Sequence, residues 1–370
     1  MQNRLIKPCL AIVATITLLS SCKLKAHQEE NFQNSLDLYF RSTIKSDGPG
    51  IAIIVAKPNK DILFAKGYGV EDINTKAPIT SKTLFNLGSV SKTFVGFAIL
   101  KLQEQGKLSI EDPILKYFPN FKDSNLVKDI KIKHLLSHTS GLPDNRPVEI
   151  DSVFFLTAND EQNFAPILQN DSLLFQPGDR FEYSNPAFNG LALIVEKVSG
   201  QKWQQYIKEN IFNPSGMATS VITDGAFPDK GVSHGYQQVN GKWQEYDFGE
   251  YPTFCASGNG GVWSSVEELL LYEEAIQKNK FVSDSTVKLA RRVFIPSNWK
   301  DTIPPNIGFD WFTETFEGLK AIGHTGDQGG FRADYFYYPE KKIFIGMISN
   351  GSHDLGKVRK KVLELMKGLE

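Results

Sequence analysis

Ser89 and Lys92 stand three residues apart in Asn86-Leu87-Gly88-Ser89-Val90-Ser91-Lys92, with a glycine just before the serine and an apolar run after it. In the first turn of a helix, residues at this spacing share a face. A serine hydroxyl becomes a nucleophile only when a neighbour takes its proton. A lysine can do this once burial or a cationic neighbour lowers its pKa. The helix N-terminus adds positive potential at Ser89, which favours alkoxide and oxyanion. Taken alone, the same spacing also fits an N-cap serine followed by a surface lysine.

Two further groups offer chemistry. Tyr183-Ser184-Asn185 follows Gln176-Pro177-Gly178 and precedes a helical run. A tyrosine beside a lysine loses its proton more easily, because the ammonium stabilises phenolate. Asn185 can hold a substrate amide oxygen and the Lys92 head group. His324-Thr325-Gly326 ends an apolar strand and leads into Asp327-Gln328-Gly329-Gly330. Gly326 lets a substrate backbone lie against the strand edge, Thr325 offers a hydroxyl and His324 a donor. Each group also has a plain reading, as a loop tyrosine, a turn asparagine and a strand-end histidine. His134 and His138 are spaced for a metal on a helix, but no third ligand accompanies them, and they read as scaffold. Glu196 and Glu209 read as solvated helix residues. No cofactor and no metal is invoked.

These groups need a scaffold. GPGIAIIVAK and ILFAKGYGV, joined by the turn Pro58-Asn59-Lys60-Asp61, predict a hairpin. GLKAIGHTG, ADYFYYP and IFIGMISN predict an antiparallel meander, and GKVRKKVLELMKGLE a closing amphipathic helix. Between them lie helical stretches: SKTFVGFAILKLQEQGKL, ending at Gly106; LVKDIKIKHLLSH; NGLALIVEKVSG, stopping at Gly200; WQQYIKENIF; and SSVEELLLYEEAIQK, capped by Ser264 or Ser265. Strands at both ends and helices in the middle predict an α+β fold. An antiparallel sheet is built from both chain ends (about 35–88 and 291–370) and flanked by helices, with a mainly helical region inserted at about 89–290.

Bulk properties agree with a globular domain. The chain has 370 residues, 22% of them charged, and a formal net charge of −1. No basic excess points to nucleic acid, and nothing fixes an oligomeric state. Arg4 and Lys7 precede the apolar run CLAIVATITLLSS, a pattern of export signal too short for a comfortable membrane span. Leu19-Ser20-Ser21-Cys22 resembles a bacterial lipobox, which implies a lipid anchor at Cys22 and a periplasmic or outer-membrane-anchored address. Residues 23–34 read as a polar tether. Cys9 leaves with the signal, so Cys255 stands alone and no disulfide framework forms.

The order S-x-x-K, Y-x-N, [KH]-T-G resembles the class C β-lactamase and DD-peptidase superfamily of penicillin-recognising serine hydrolases. IKHLLSHTSGLP, FQPGDRFEYSNPAFNGLALIVEKVSG, IFNPSGM and SGNGGVWSSVEELL are similar to its connecting segments, and the likeness spans roughly residues 36–355. The resemblance implies that Ser89 is acylated, that Lys92 helps remove its proton, and that Tyr183 is general base. It implies that Asn185 orients substrate and Lys92, that His324, Thr325 and Gly326 line the substrate strand, and that the backbone N–H groups of Ser89 and Asp327 form the oxyanion hole. Two positions depart from the β-lactamase pattern. His324 stands where lysine is usual, and a histidine is mostly neutral near pH 7 unless perturbed. Asp327 stands where small residues are commoner, and its charge would oppose anionic substrates or bind an amine. The implied activity is hydrolysis of a peptide, amide or ester, with D-amino-acid or peptidoglycan-derived substrates among the candidates. The alternatives are a β-lactamase and a non-catalytic penicillin-binding sensor lipoprotein.

Overall fold

The computed structural model describes residues 7–147, 151, 158, 160–223, 228, 230–246 and 257–369, with side chains from residue 25 onward. The side chain of Cys22, and Cys255 entirely, lie outside the described residues.

The strands in chain order are β1 (Ile51–Lys57), β2 (Asp61–Tyr68), β3 (Phe85–Asn86), β4 (Val221–Ile222), β5 (Tyr236–Val239) and β6 (Lys242–Glu245). They continue with β7 (Val262–Ser264), β8 (Phe312–Phe316), β9 (Leu319–Gln328), β10 (Phe331–Tyr338) and β11 (Ile343–Ser349). A six-stranded sheet runs in the order β2-β1-β11-β10-β9-β8 and is antiparallel at every pairing. It unites the two chain ends, as the α+β reading requires. β1 and β11 are apolar along almost their whole length because both of their faces are covered. Ala52 and Ile54 face the helical region, and Ile51, Ile53 and Val55 face an outer layer.

That outer layer corrects one expectation. Residues expected to form a tether belong to the helix Lys7–Thr43. Phe32, Leu36 and Phe40 are buried against the sheet at a spacing of four, one stripe of the helix, and Phe40 stacks on Tyr68 at 4.7 Å. The closing helix Leu355–Met366 buries Val358 and Val362 in the same layer. Among the described residues, no helix is long and apolar enough to cross a membrane.

On the other face, the helix Ser91–Glu104 is buried around most of its circumference, so it runs through the core rather than over it. Phe94 stacks on Tyr272 at 4.2 Å, and Phe97 packs on Trp311 at 5.7 Å. The inserted region is less purely helical than expected. It contains the hairpin β5–β6 and the strands β4 and β7, which form a small sheet with β3 in the order β3-β7-β4. The LVKDIKIKHLLSH stretch forms two short helices, Ser124–Val127 and Ile132–Leu136, because Lys131 between them bridges to Pro113 in extended form.

One detail of the sheet creates the site. β8 pairs with β9 only as far as Phe312 opposite Gly323. Among the described residues no strand takes the near edge of residues 324–328, which are held on the far side by β10.

Candidate active site

Three segments converge at that free edge. Ser89 lies in the single turn Gly88–Val90, which runs directly into the helix Ser91–Glu104. Its hydroxyl caps nothing. Instead it accepts a hydrogen bond from Lys92 Nζ at 3.0 Å. Lys92 is 0% exposed, so the surface-lysine reading fails. Burial pushes its pKa down to about 7; the negative charge of Asp310 resists and the positive charge of Arg146 assists. At pH 7 roughly half of such an amine is neutral and able to accept a proton.

Glycine is required where the two segments meet. Gly88 has φ of +50°, and a Cβ there would sit 2.9 Å from the Asp327 backbone nitrogen. A Cβ at Gly326 would sit 2.0 Å from the Leu87 carbonyl oxygen and 3.2 Å from the Ser89 nitrogen. The backbone nitrogens of Ser89 and Asp327 therefore flank one narrow join, the arrangement an oxyanion hole needs.

Tyr183 arrives from the loop before the helix Asn185–Ser199, which Ser184 caps by accepting from the Ala187 N–H and which ends at left-handed Gly200. The Tyr183 phenol contacts Ser89. Lys92 Nζ lies over the Tyr183 ring, 5.0 Å from its centre. The expectation that Lys92 eases phenolate formation is reversed. Desolvation pushes the Tyr183 pKa above its ordinary value, Asp310 pushes further, and only the Ser89 contact pulls it down. The residue keeps 37% of its surface open, so solvent moderates this push. The net direction still leaves a protonated phenol at neutral pH.

Asn185 begins its helix, half-buried, but does not hold Lys92. The second acceptor for Lys92 Nζ is the carbonyl oxygen of Asn259, at 2.7 Å. That loop is fixed by Asn189, whose amide donates to Asn259 Oδ1 at 2.9 Å and to Ser257 Oγ at 3.0 Å. Asn189 in turn accepts from Arg146 Nη1 at 3.0 Å, and Arg146 is paired with Asp144. Sequence reasoning missed this chain. Asn259 acts through its backbone, and no motif marks Asn189 or Arg146.

On β9, side chains alternate. His324 faces inward and is buried, with its ring 6.4 Å from that of Tyr183. Thr325 and Asp327 are exposed. Asp327 has the same parity as Ala321, which belongs to the outer layer, and it pairs with Arg332 on β10 at 3.2 Å. An exposed cation, Arg332, therefore already stands beside its carboxylate.

His138, set aside as scaffold, stacks on the Tyr183 ring with centroids 4.4 Å apart and planes 21° apart. Its Nδ1 accepts from the Ser184 backbone N–H at 2.9 Å, and its Nε2 faces Asp310 Oδ1 at 3.5 Å. Its supposed metal partner His134 instead accepts from the Lys131 N–H at 3.1 Å, closing a helix cap.

The Beta-lactamase family profile matches residues 29–365. The chain belongs to the Beta-lactamase family. Among its relatives in this family is Penicillin-binding protein 4* of Bacillus subtilis (strain 168), 27% identical over 319 residues, covering 81% of this chain and 68% of the relative. Protein flp of Staphylococcus aureus (strain MW2) is 33% identical over 192 residues, but the match spans 51% of this chain and only 38% of that protein. Among solved structures, the octameric penicillin-binding protein homologue from Pyrococcus abyssi is 28% identical with a TM-score of 0.78, covering 90% of this chain and 77% of the other. D-amino acid amidase from Ochrobactrum anthropi SV3, complexed with D-phenylalanine, shares the fold at 19% identity, with a TM-score of 0.76 over 92% of this chain and 99% of the other. Beta-lactamase-family relatives of this fold are serine hydrolases.

Proposed function

We propose that this protein hydrolyses a peptide-like amide through an acyl-enzyme on Ser89, and that Lys92 rather than Tyr183 first takes the serine proton. The single observation that carries this is the buried Lys92 amine, hydrogen-bonded to Ser89 and held near pKa 7. The steps balance without a cofactor. Ser89 Oγ bonds to the substrate carbonyl carbon while its proton passes to Lys92. The backbone N–H groups of Ser89 and Asp327 hold the oxyanion. The C–N bond then breaks, and the leaving nitrogen takes the Tyr183 phenol proton. Lys92 ammonium restores that proton, and water releases the acyl group by the reverse path. The free edge of residues 324–328 suits an extended amide backbone laid as an added strand. That favours peptides and amino-acid amides over simple esters. The fold likeness to a D-amino acid amidase and the kinship with penicillin-binding proteins support D-amino-acid-containing substrates, including peptidoglycan stems.

We also propose export and lipid attachment at Cys22, on the strength of the lipobox-like sequence.

A panel of D-Ala-D-Ala peptides, D- and L-amino-acid amides, p-nitrophenyl esters and nitrocefin tests the substrate class. Turnover of D-amino-acid amides or peptides, lost in Ser89→Ala, is expected. Turnover of nitrocefin alone would make the protein a β-lactamase. Turnover of none, with slow covalent capture of penicillin, would favour a sensor.

A further inference from the structure

Asn189 is buried and lies one turn after Asn185 on the helix Asn185–Ser199, so the two share a face. Its oxygen accepts from Arg146 Nη1 at 3.0 Å. Its nitrogen donates to the Ser257 carbonyl, to Ser257 Oγ at 3.0 Å and to Asn259 Oδ1 at 2.9 Å. Chemistry fixes which end of the amide faces which side. A guanidinium only donates, so the oxygen must face Arg146 and the nitrogen must face the loop. Arg146 is itself held, by both oxygens of Asp144 at 2.8 and 2.6 Å and by Asn163 Oδ1 at 2.8 Å.

We infer that Asn189 is a positioning residue for the acylation of Ser89: through the side chain of Asn259 it aims the Asn259 carbonyl at Lys92 Nζ, and so holds the amine against the serine hydroxyl.

The loop 257–262 carries this. Asn259 is tied at both its ends. Its side-chain oxygen accepts from Asn189 and from Ser257 Oγ, the latter at 2.8 Å, while its backbone carbonyl accepts from Lys92 Nζ at 2.7 Å. One residue thus joins the helix Asn185–Ser199 to the helix Ser91–Glu104. Its neighbours are glycines, which leave the backbone free to turn unless something holds it. Gly258 has φ of +88° and lies so close to the helix that a Cβ there would sit 2.5 Å from the Phe188 carbonyl oxygen. A Cβ at Gly260 would sit 2.4 Å from Gln328 Oε1 on β9. Beyond them, the Val262 N–H donates to Ser91 Oγ at 3.1 Å, beside Lys92. Asn189 supplies the side-chain hold at the one residue whose carbonyl meets the amine. Lysine is a flexible four-carbon stem with a rotatable head. If the Asn259 carbonyl turned away, the buried ammonium would lose an acceptor, a costly loss that would draw it off Ser89. Asn189 is hydrogen-bonded on both sides, so it acts through Asn259 rather than on the substrate.

The consequence for catalysis rests on the proposed Ser89 acyl-enzyme, but the bracing can be read without it. Two variants cut the link from opposite sides. Asn189→Leu keeps the bulk and removes the donors, and Asn259→Ala removes the anchored side chain and keeps the carbonyl. Fluorophosphonate labelling of Ser89 should slow about tenfold in each, the scale of one lost hydrogen bond to a charged group. The double variant should be no slower than the slower single one, because a single link is cut twice. On any amide that is turned over, kcat should fall with KM little changed. Hydrogen exchange in the peptide 257–264 should speed up in both variants, with that in 93–104 unchanged. Losses that multiply in the double variant would overturn the proposal, as would wild-type labelling and exchange in Asn259→Ala. Should Asn189→Leu fail to fold, Asn259→Ala decides alone. If the wild type takes up no fluorophosphonate, the acyl-enzyme reading fails, and unchanged exchange in 257–264 would then separately overturn the role of Asn189.

Discussion

Lys92 Nζ donates to Ser89 Oγ, in the single turn that leads into its helix, and to the carbonyl of Asn259, 167 residues further along the chain. The first contact is given by local spacing. The second depends on the whole inserted region folding back, braced through Asn189 and Arg146. Together they fix the amine while burial keeps its proton loosely held.

The pH dependence of acylation follows. Lys92 has a folded pKa lowered to about 7, so its neutral, proton-accepting form grows as pH rises through that value. Acylation of Ser89 should therefore rise through about pH 7 and level off above it. Lys92→Ala should lower the rate by roughly 10²–10⁴ and abolish this limb, by loss of a general base. Stopped-flow acylation across pH measures both, with circular dichroism to confirm folding.

Tyr183→Phe separates acid from base. A phenol held protonated serves the leaving group, so its loss should matter in proportion to how poor that group is. The rate on amide substrates should fall by roughly 10² or more. p-Nitrophenyl esters, whose leaving group needs no proton, should be much less affected. Equal losses on both would return Tyr183 to the role of initial base.

Phe40→Ala examines the helix expected to be a tether. Phe40 is fully buried on the outer face of the sheet and stacks on Tyr68. Its truncation should cost about 3–5 kcal/mol in urea unfolding. A free tether would show no change.

Cys22→Ala bears on the anchor. Fractionation of cells should find the wild type with membranes and the variant released, since a lipid chain is what would hold the protein there. Retention of the variant would contradict lipidation.

Much of the fold was legible because apolar runs at both ends mark central strands, and Gly200 and Ser265 mark helix limits. Ser89 and Lys92 were legible because helical spacing alone brings them together. Tyr183 and His324 could be singled out only through the order of motifs. Asp310 and Asn259 were not legible. One works through a carboxylate in a turn with no motif around it, the other through a backbone carbonyl that any residue possesses. His138 stood in view, but its partners Ser184 and Asp310 come from distant segments. The stripe Phe32, Leu36, Phe40 was hidden by the polar residues around it.

The most direct measurement is mass spectrometry of the mature protein after reaction with a fluorophosphonate, followed by peptide mapping. A single adduct on Ser89, absent from Ser89→Ala and slowed in Lys92→Ala, is the predicted result. A folded protein that takes up no adduct, or carries it on another residue, would contradict the Ser89–Lys92 pair as the reacting centre.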